Sequence, residues 1–354
     1  MTPEVIFMAC FLLFVALMLA FDLGVINKKN HIISFKEALI WTCVWIGMAL
    51  LFYVLIRFHA EWIHGAHTIE DLQVLNIKHG HNLTLNLADY DASLEMYRKA
   101  MSLEYITGYL IEKALSVDNI FVMIMIFLSF KVDPKYYHKV LFWGILGAVV
   151  MRFLFIFLSA ALIQRFAWIL WVFGGILIFT GIKMFLERKK NDDDVNMSTH
   201  PVVRFASKYL PVTRNFYAGR FFIKLRGRNY LTPLFLVLLI IEFSDVIFAV
   251  DSIPAIFSVT LDPYIVFFSN IFAILGLRSL FFVLSNIMNK FAYLKLGLAV
   301  LLVFIGVKML LHGIFHIEIG TGLSLLIIVG ILGASIAASL LFPPKEEQDP
   351  FMPA

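Results

Sequence analysis

Nine apolar runs, each long enough to cross a bilayer, recur along this chain, and they leave it very few folds. A membrane-crossing helix needs ~20 consecutive apolar residues. Without water to satisfy the backbone, only helices and closed barrels cross at all. Barrel strands alternate apolar and polar residues over ~10 positions, whereas runs such as Val5 to Val25 are continuously apolar but for Asp22. The fold class is therefore all-α, a polytopic membrane protein. Of 354 residues, 61% are hydrophobic and 15% charged, a balance foreign to a water-soluble domain. Nine spans use ~180 residues, which leaves two sizeable loops and no separate catalytic domain. The chain is expected to be neither an enzyme nor a cofactor protein. Cys10 and Cys43, its two cysteines, both fall inside apolar runs, so a disulfide framework and a cysteine zinc site are excluded.

The runs divide the chain into segments. Residues 1–56 hold two helices, Val5 to Val25 and Ala38 to Ile56, and residues 57–101 form a polar loop. Three spans lie within 102–186 (102–128, 140–162 and 166–186), and residues 187–230 form a second loop. Three more lie within 231–312 (231–258, 263–285 and 292–312), and residues 313–342 hold the last, at 321–342. Residues 343–354 are a tail. Lys28 and Lys29 follow the first run and no lysine or arginine precedes it, the reverse of a signal peptide. By the positive-inside rule the N-terminus is outside and the tail cytoplasmic. The inner loops then carry Lys28, Lys29, Lys36, Lys131, Lys135, Lys139 and Lys290. Residues 187–228 hold ten Lys or Arg against four acids, while the outer stretch 57–100 holds six acids against four bases. The net charge of +4 thus reflects orientation in the lipid bilayer and gives no argument for nucleic acid.

Two segments match: Glu112-Lys-Ala-Leu-Ser-Val-Asp118-Asn119-Ile and Asp245-Val-Ile-Phe-Ala-Val-Asp251-Ser252-Ile. The match continues with Asp133-Pro134 against Asp262-Pro263, Arg152 against Arg278, and Gly181-Ile-Lys183-Met against Gly306-Val-Lys308-Met. This is an internal repeat. Each copy spans three helices, an odd number, so the second enters the membrane from the opposite side and the repeat is inverted. Inverted repeats of secondary transporters place the substrate site near the midplane where the copies meet.

Five acids lie in the first helices of the copies: Glu112, Asp118, Glu242, Asp245 and Asp251. At roughly 2.5 to 3.5 kcal/mol each on insertion scales, they demand compensation. One reading pairs them with the spans' own bases, Lys113, Arg152, Lys183, Arg278 and Lys308; the other makes them a cation site. Acids six residues apart turn ~600° on an ideal helix and face ~240° apart, so they converge only if the helix is interrupted. Pro254 predicts such an interruption, freeing the carbonyl of Val250 as a ligand. Asn119 and Ser252 add neutral oxygens. An all-oxygen, carboxylate-rich set suits Mn²⁺, Mg²⁺ or Ca²⁺ over Cu or Zn, and the same groups can carry protons. Asp22, near the inner end of the first helix, is a secondary position, either interfacial or on the path. The outer loop holds His59, His64, His67, His79 and His81 with Glu70, Asp71, Asp89 and Asp91. Its composition allows loose metal binding, with no ligand spacing to fix a site.

The strings Gly108-Tyr-Leu-Ile-Glu112-Lys-Ala-Leu-Ser-Val-Asp118-Asn119 and Glu242-Phe-Ser-Asp245-Val-Ile-Phe-Ala-Val-Asp251-Ser-Ile-Pro-Ala resemble the two signature segments of the TerC family, close to its Alx-type members. The resemblance covers nearly the whole chain. It implies export of manganese across the cell membrane, which is the inner membrane if the cell is Gram-negative, in a fold akin to the LysE transporter superfamily. The functional acids it implies are Glu112, Asp118, Glu242, Asp245 and Asp251. The outer loop looks longer and richer in histidine than the usual pattern. The absence of a phosphate-binding Gly-x-x-x-x-Gly-Lys-Ser/Thr string points to an ion gradient as the energy source, and carboxylates that shed protons to bind metal point to metal-for-proton antiport. A competing reading makes the chain a scaffold that metallates exported proteins beside the secretion machinery, the basic inner loop being its contact. An intramembrane aspartyl protease would need Tyr-Asp and Gly-x-Gly-Asp strings around its aspartates, and Asp118, Asp245 and Asp251 have neither.

Overall fold

The computed structural model describes residues 2–26, 33–81, 83–166, 168–187, 211–213, 217, 219–225, 228–287, 293–315, 317 and 319–341. Lys28, Lys29, Lys290, most of the basic loop and the tail lie outside the described residues, as does the side chain of Asp22. Among the described residues the helices are α1 (Pro3–Ile26), α2 (Phe35–His59), α3 (Glu61–His64), α4 (Ile69–His79), α5 (Tyr90–Ser129), α6 (Tyr137–Arg165), α7 (Ile169–Glu187), α8 (Pro233–Phe257), α9 (Pro263–Leu275), α10 (Leu277–Ile287), α11 (Leu294–Phe315) and α12 (Thr321–Leu341). Six of them, α1, α2, α6, α7, α8 and α12, are long and apolar enough to cross a bilayer, and α9 with α10 makes a seventh span. α5, whose crossing half carries Glu112, Lys113 and Asp118, and α11, apolar from Leu296 to His312, fill the other two of the nine predicted positions. The outward faces are apolar, with Leu13, Leu17, Phe179 and Leu326 all more than 60% exposed, as a lipid-facing surface requires.

At 40 residues α5 is roughly 60 Å long by its rise per residue, about twice the ~30 Å hydrocarbon core. Its first turns, capped by Asp89 on the Ala92 amide, stand outside the membrane. There α3 and α4 pack against them, so much of the predicted polar loop is helical. The sharpest break falls between α9 and α10, bent by 43° at Gly276. A side chain at Gly276 would meet Lys113 Nζ and Trp45, and Lys113 Nζ donates to the carbonyl of Ala273 at 3.3 Å. The lysine thus serves a carbonyl next to the break. α9 is buried on nearly every side, its Phe267, Phe268 and Phe272 meeting Phe11 of α1 and Phe52 of α2. A helix apolar all round is a helix surrounded.

Two short strands of a hairpin, β1 (Phe222–Leu225) and β2 (Arg228–Leu231), pair antiparallel. The hairpin lies at the end of the bundle where α6 begins, since Lys139 Nζ donates to the Gly219 carbonyl at 2.7 Å and Thr232, at the start of α8, donates to the Arg220 carbonyl. The opposite end carries the histidines, because His64 meets Asp262 just past the end of α8. α5 therefore runs from the histidine face to the hairpin face, and α8 runs back. The two repeat copies are inverted, and their Asp-Pro pairs show it. Asp133 caps the helical turn before α6 on the hairpin face, accepting from the Lys135 amide, and Asp262 caps α9 on the histidine face, accepting from the Tyr264 amide.

Candidate functional site

The fully buried guanidinium of Arg152, on α6, organises the centre of the bundle. A charge taken out of water must be paired and hydrogen-bonded, and Arg152 is served from two other helices. Nη1 donates to Glu112 of α5 and, at 3.0 Å, to Ser252 Oγ of α8; Nη2 reaches Asp245 Oδ1, also of α8, at 3.4 Å. Asn270 of α9 donates to the second oxygen of Glu112 at 3.1 Å. Glu112 and Asp245, equivalent in the repeat, thus converge on one cation of the chain's own. Of the two readings of the five acids, these two follow the ion-pair reading. Glu242 stands apart from that pair, against Gly147 of α6, where any side chain would collide with its carboxylate.

Asp118 and Asp251 face elsewhere. Together with Asn119, Thr180, Lys183 and Ser252 they line a cavity of about 260 Å³ between α5, α7, α8 and α11. Thr180 Oγ1 donates to Asp251 Oδ1 at 2.9 Å. The predicted interruption of α8 is corrected: the helix runs unbroken through Pro254, which removes a single backbone hydrogen bond three residues before the helix ends and does not stop the last turn from forming. With no break, acids six residues apart point to different neighbours, Asp245 to Arg152 and Asp251 to the cavity. Two repeat-equivalent aspartates still line that one cavity, brought by two helices of opposite direction. Ser252 belongs to both places, lining the cavity while accepting from Arg152.

α7 and α11 form the other repeat-related pair, and their crossing has the symmetry of the repeat. A Cβ on Gly306 would fall 2.7 Å from the Gly174 carbonyl, and one on Gly181 would fall 2.8 Å from the Ala299 carbonyl. Positions 181 and 306 are equivalent, as are 174 and 299, so the two contacts interchange under the pseudo-two-fold. Small residues allow this approach, the usual basis of helix association in lipid. The lysines that follow point to opposite ends. Lys183 lines the aspartate cavity, and Lys308 lines a second cavity of about 300 Å³ beside His79, His81 and Glu104 on the histidine face.

The histidine face is built from local signals and one distant partner. Asp71 completes a capping box with Thr68 at the start of α4, so Asp71 and Asp89 are spent on helix ends. His64 Nε2 lies 2.9 Å from Asp262 Oδ2 and its Nδ1 lies 3.1 Å from Glu4 Oε1. Burial alone would lower the pKa of His64, but Asp262 and Glu4 raise it to about 9. Burial would raise Asp262, and His64 instead holds it well below the usual carboxylate range. His79 is pushed down to about 4 by burial and stays neutral. His81, raised by Glu104 against the effect of burial, lies 3.0 Å from the Glu104 carboxylate. Along the chain Asp262 stands out only as a repeat marker and Glu104, Thr180 and Asn270 not at all, since their partners are distant in sequence.

Fold and site together define an all-α, multi-pass membrane protein with an inverted repeat and carboxylates at its centre. The chain matches the model of the integral membrane protein TerC family over residues 97–347, and it belongs to that family. It is 45% identical over 333 residues to an uncharacterized membrane protein of Myxococcus xanthus, covering 94% of this chain and 91% of the relative. It is 42% identical over 323 residues, 91% of this chain and 90% of the relative, to an Escherichia coli K12 protein named Alx and described as a proposed membrane-bound redox modulator. The Salmonella typhi Alx, described in the same words, is 43% identical over the same shares. No solved structure matches the chain.

Proposed function

We propose that this protein exports divalent cations, Mn²⁺ foremost, through the cavity between Asp118 and Asp251, in exchange for protons, and that it is a transporter and not an enzyme. The observation that carries the reading is that two repeat-equivalent aspartates line one cavity, which Asn119, Thr180 and Ser252 line with neutral oxygens. Hard divalent ions take such oxygen sets. Arg152 offsets part of the charge of Glu112 and Asp245 and fixes Ser252, so those two acids shape the site and Glu242, against α6, is the remaining acid on the path. The histidine face is assigned to the outside and the hairpin face to the cytoplasm, as the distribution of lysine and arginine requires. The cell membrane is its place, the inner membrane in a Gram-negative cell.

Moving two positive charges outward against ~100 mV costs ~4.6 kcal/mol, so an exporter needs a partner ion. Carboxylates that release protons when they take up metal make proton influx the simplest partner. The name of the Alx relatives points to redox modulation. In this chain Cys10 and Cys43 are unpaired and exposed on apolar helices, which favours an effect through metal supply over thiol exchange. The experiment is ion discrimination in proteoliposomes. Flux of Mn²⁺ should exceed that of Mg²⁺ and Ca²⁺ at least tenfold, and equal flux of all three would leave the cavity as a general cation path.

A further inference from the structure

The buried histidines offer a second place for a metal, separate from the aspartate cavity. His64, His79 and Asp262 are each less than 10% exposed, and one ligand atom from each lies within 4.8 Å of the others. His79 is 1% exposed, and neither ring nitrogen has a hydrogen-bond partner. A buried polar group without a partner costs about 1–3 kcal/mol, so an imidazole with two such nitrogens, set against a second imidazole and a carboxylate, is poorly explained as packing. The neighbourhood repeats the pattern: His81 Nε2 and Glu104 Oε2 are also buried without partners, one ring away from His79, which it approaches at 5.9 Å between centroids. The cavity of about 300 Å³ that opens beside His79, His81 and Glu104 gives an ion a way in.

We propose that His64, His79 and Asp262 bind a first-row divalent transition ion at the histidine face of the bundle. Two imidazoles and one carboxylate form a borderline set, suited to Mn²⁺, Fe²⁺ or Zn²⁺ and poorly suited to Mg²⁺ or Ca²⁺. Three protein ligands leave positions for water, so the site can load and release through the adjoining cavity. Glu4, 3.1 Å from the other nitrogen of His64, is the outer partner that orients a ligating imidazole. The ligands come from α3, α4 and the loop before α9, so a bound ion would clamp the polar segment onto the second repeat. The proposal is independent of transport. Its competitor is a protonated His64 held between Asp262 and Glu4, with His79 a filler.

Pulsed electron paramagnetic resonance of the full-length chain, free of any histidine tag and loaded with Mn²⁺, separates the two. The site supplies imidazole nitrogen to the ion, and the aspartate cavity, whose lining holds no histidine, does not. Nitrogen-coupled Mn²⁺ should appear in the native chain, persist in Asp251→Asn and in His67→Ala, and fall more than tenfold in His79→Ala. His79→Ala loses packing but no hydrogen bond, and a single cooperative melting transition of the metal-free variant checks that the fold survives. Absence of nitrogen coupling at saturating Mn²⁺, or coupling in a folded His79→Ala equal to that of the native chain, would overturn the proposal.

Discussion

Arg152 donates a 3.0 Å hydrogen bond to the hydroxyl of Ser252, and through that contact the buried charge cluster touches the wall of the aspartate cavity. The guanidinium is also shared between Glu112 and Asp245, so its removal strands two buried carboxylates and frees Ser252 at once. Breaking a buried pair from one side costs about 3–5 kcal/mol. Arg152→Met should lower thermal stability in detergent by that order. Arg152→Lys should recover only part of it, because an ammonium cannot present the planar fork that reaches two carboxylates. Native-like melting of Arg152→Met would show that the cluster does not hold the bundle.

The crossing of α7 and α11 makes a paired prediction. Gly306→Val places carbon against the Gly174 carbonyl and Gly181→Val against that of Ala299, and overpacking of this kind costs about 1–3 kcal/mol. Gly175, one residue along α7 and with nothing within 4 Å of its added carbon, should accept alanine without loss. Melting curves of the three variants measure the difference, and equal behaviour would contradict the close crossing.

Outside the membrane, Glu61 is held by Arg98, which donates from Nε at 2.8 Å and from Nη2 at 2.5 Å. Burial would raise the Glu61 pKa, but the Arg98 bonds bring it below the ordinary value. A carboxylate depressed in the folded state stabilises above its unfolded pKa, and that contribution disappears as pH falls through the folded value. Glu61→Gln should therefore cost roughly 1–3 kcal/mol near pH 7, and the gap to the native chain should narrow below about pH 4, near the unfolded glutamate pKa. A gap that is constant from pH 7 to pH 3 would assign the loss to packing.

Membrane class and inversion of the repeat are legible because each rests on a pattern along the chain: apolar run length, and two copies of Glu/Asp-x₅-Asp. The Asp-Pro caps at Asp133 and Asp262 come from the same local rules. The division of the acids was not legible. It depends on which helix supplies Arg152, a contact spanning 40 residues to Glu112 and 93 to Asp245. Pro254 misled because a proline signals a break only when helix continues well beyond it, and here α8 ends three residues later. The actual bend falls at Gly276, where a side chain would meet Lys113 and Trp45 of other helices, contacts that no local pattern announces. The histidines of the outer loop carried no ligand spacing, since their carboxylate partner Asp262 lies 198 residues from His64.

Proton coupling has its own readout. In proteoliposomes with Mn²⁺ on the hairpin side and acid on the histidine side, efflux should slow several-fold when the pH difference is collapsed at clamped voltage. Flux unchanged under that clamp would remove antiport and leave the metal path intact.

Flux of Mn²⁺ through Asp118→Asn and Asp251→Asn tests the central claim most directly. Each change keeps the side-chain volume and removes one negative ligand from the cavity, while Arg152 and its partners stay in place. The expected result is loss of more than 90% of Mn²⁺ transport, on the order expected from a tenfold effect per 1.4 kcal/mol of lost binding, in proteoliposomes that hold normal amounts of folded protein. Transport at the native rate in either variant would contradict the account.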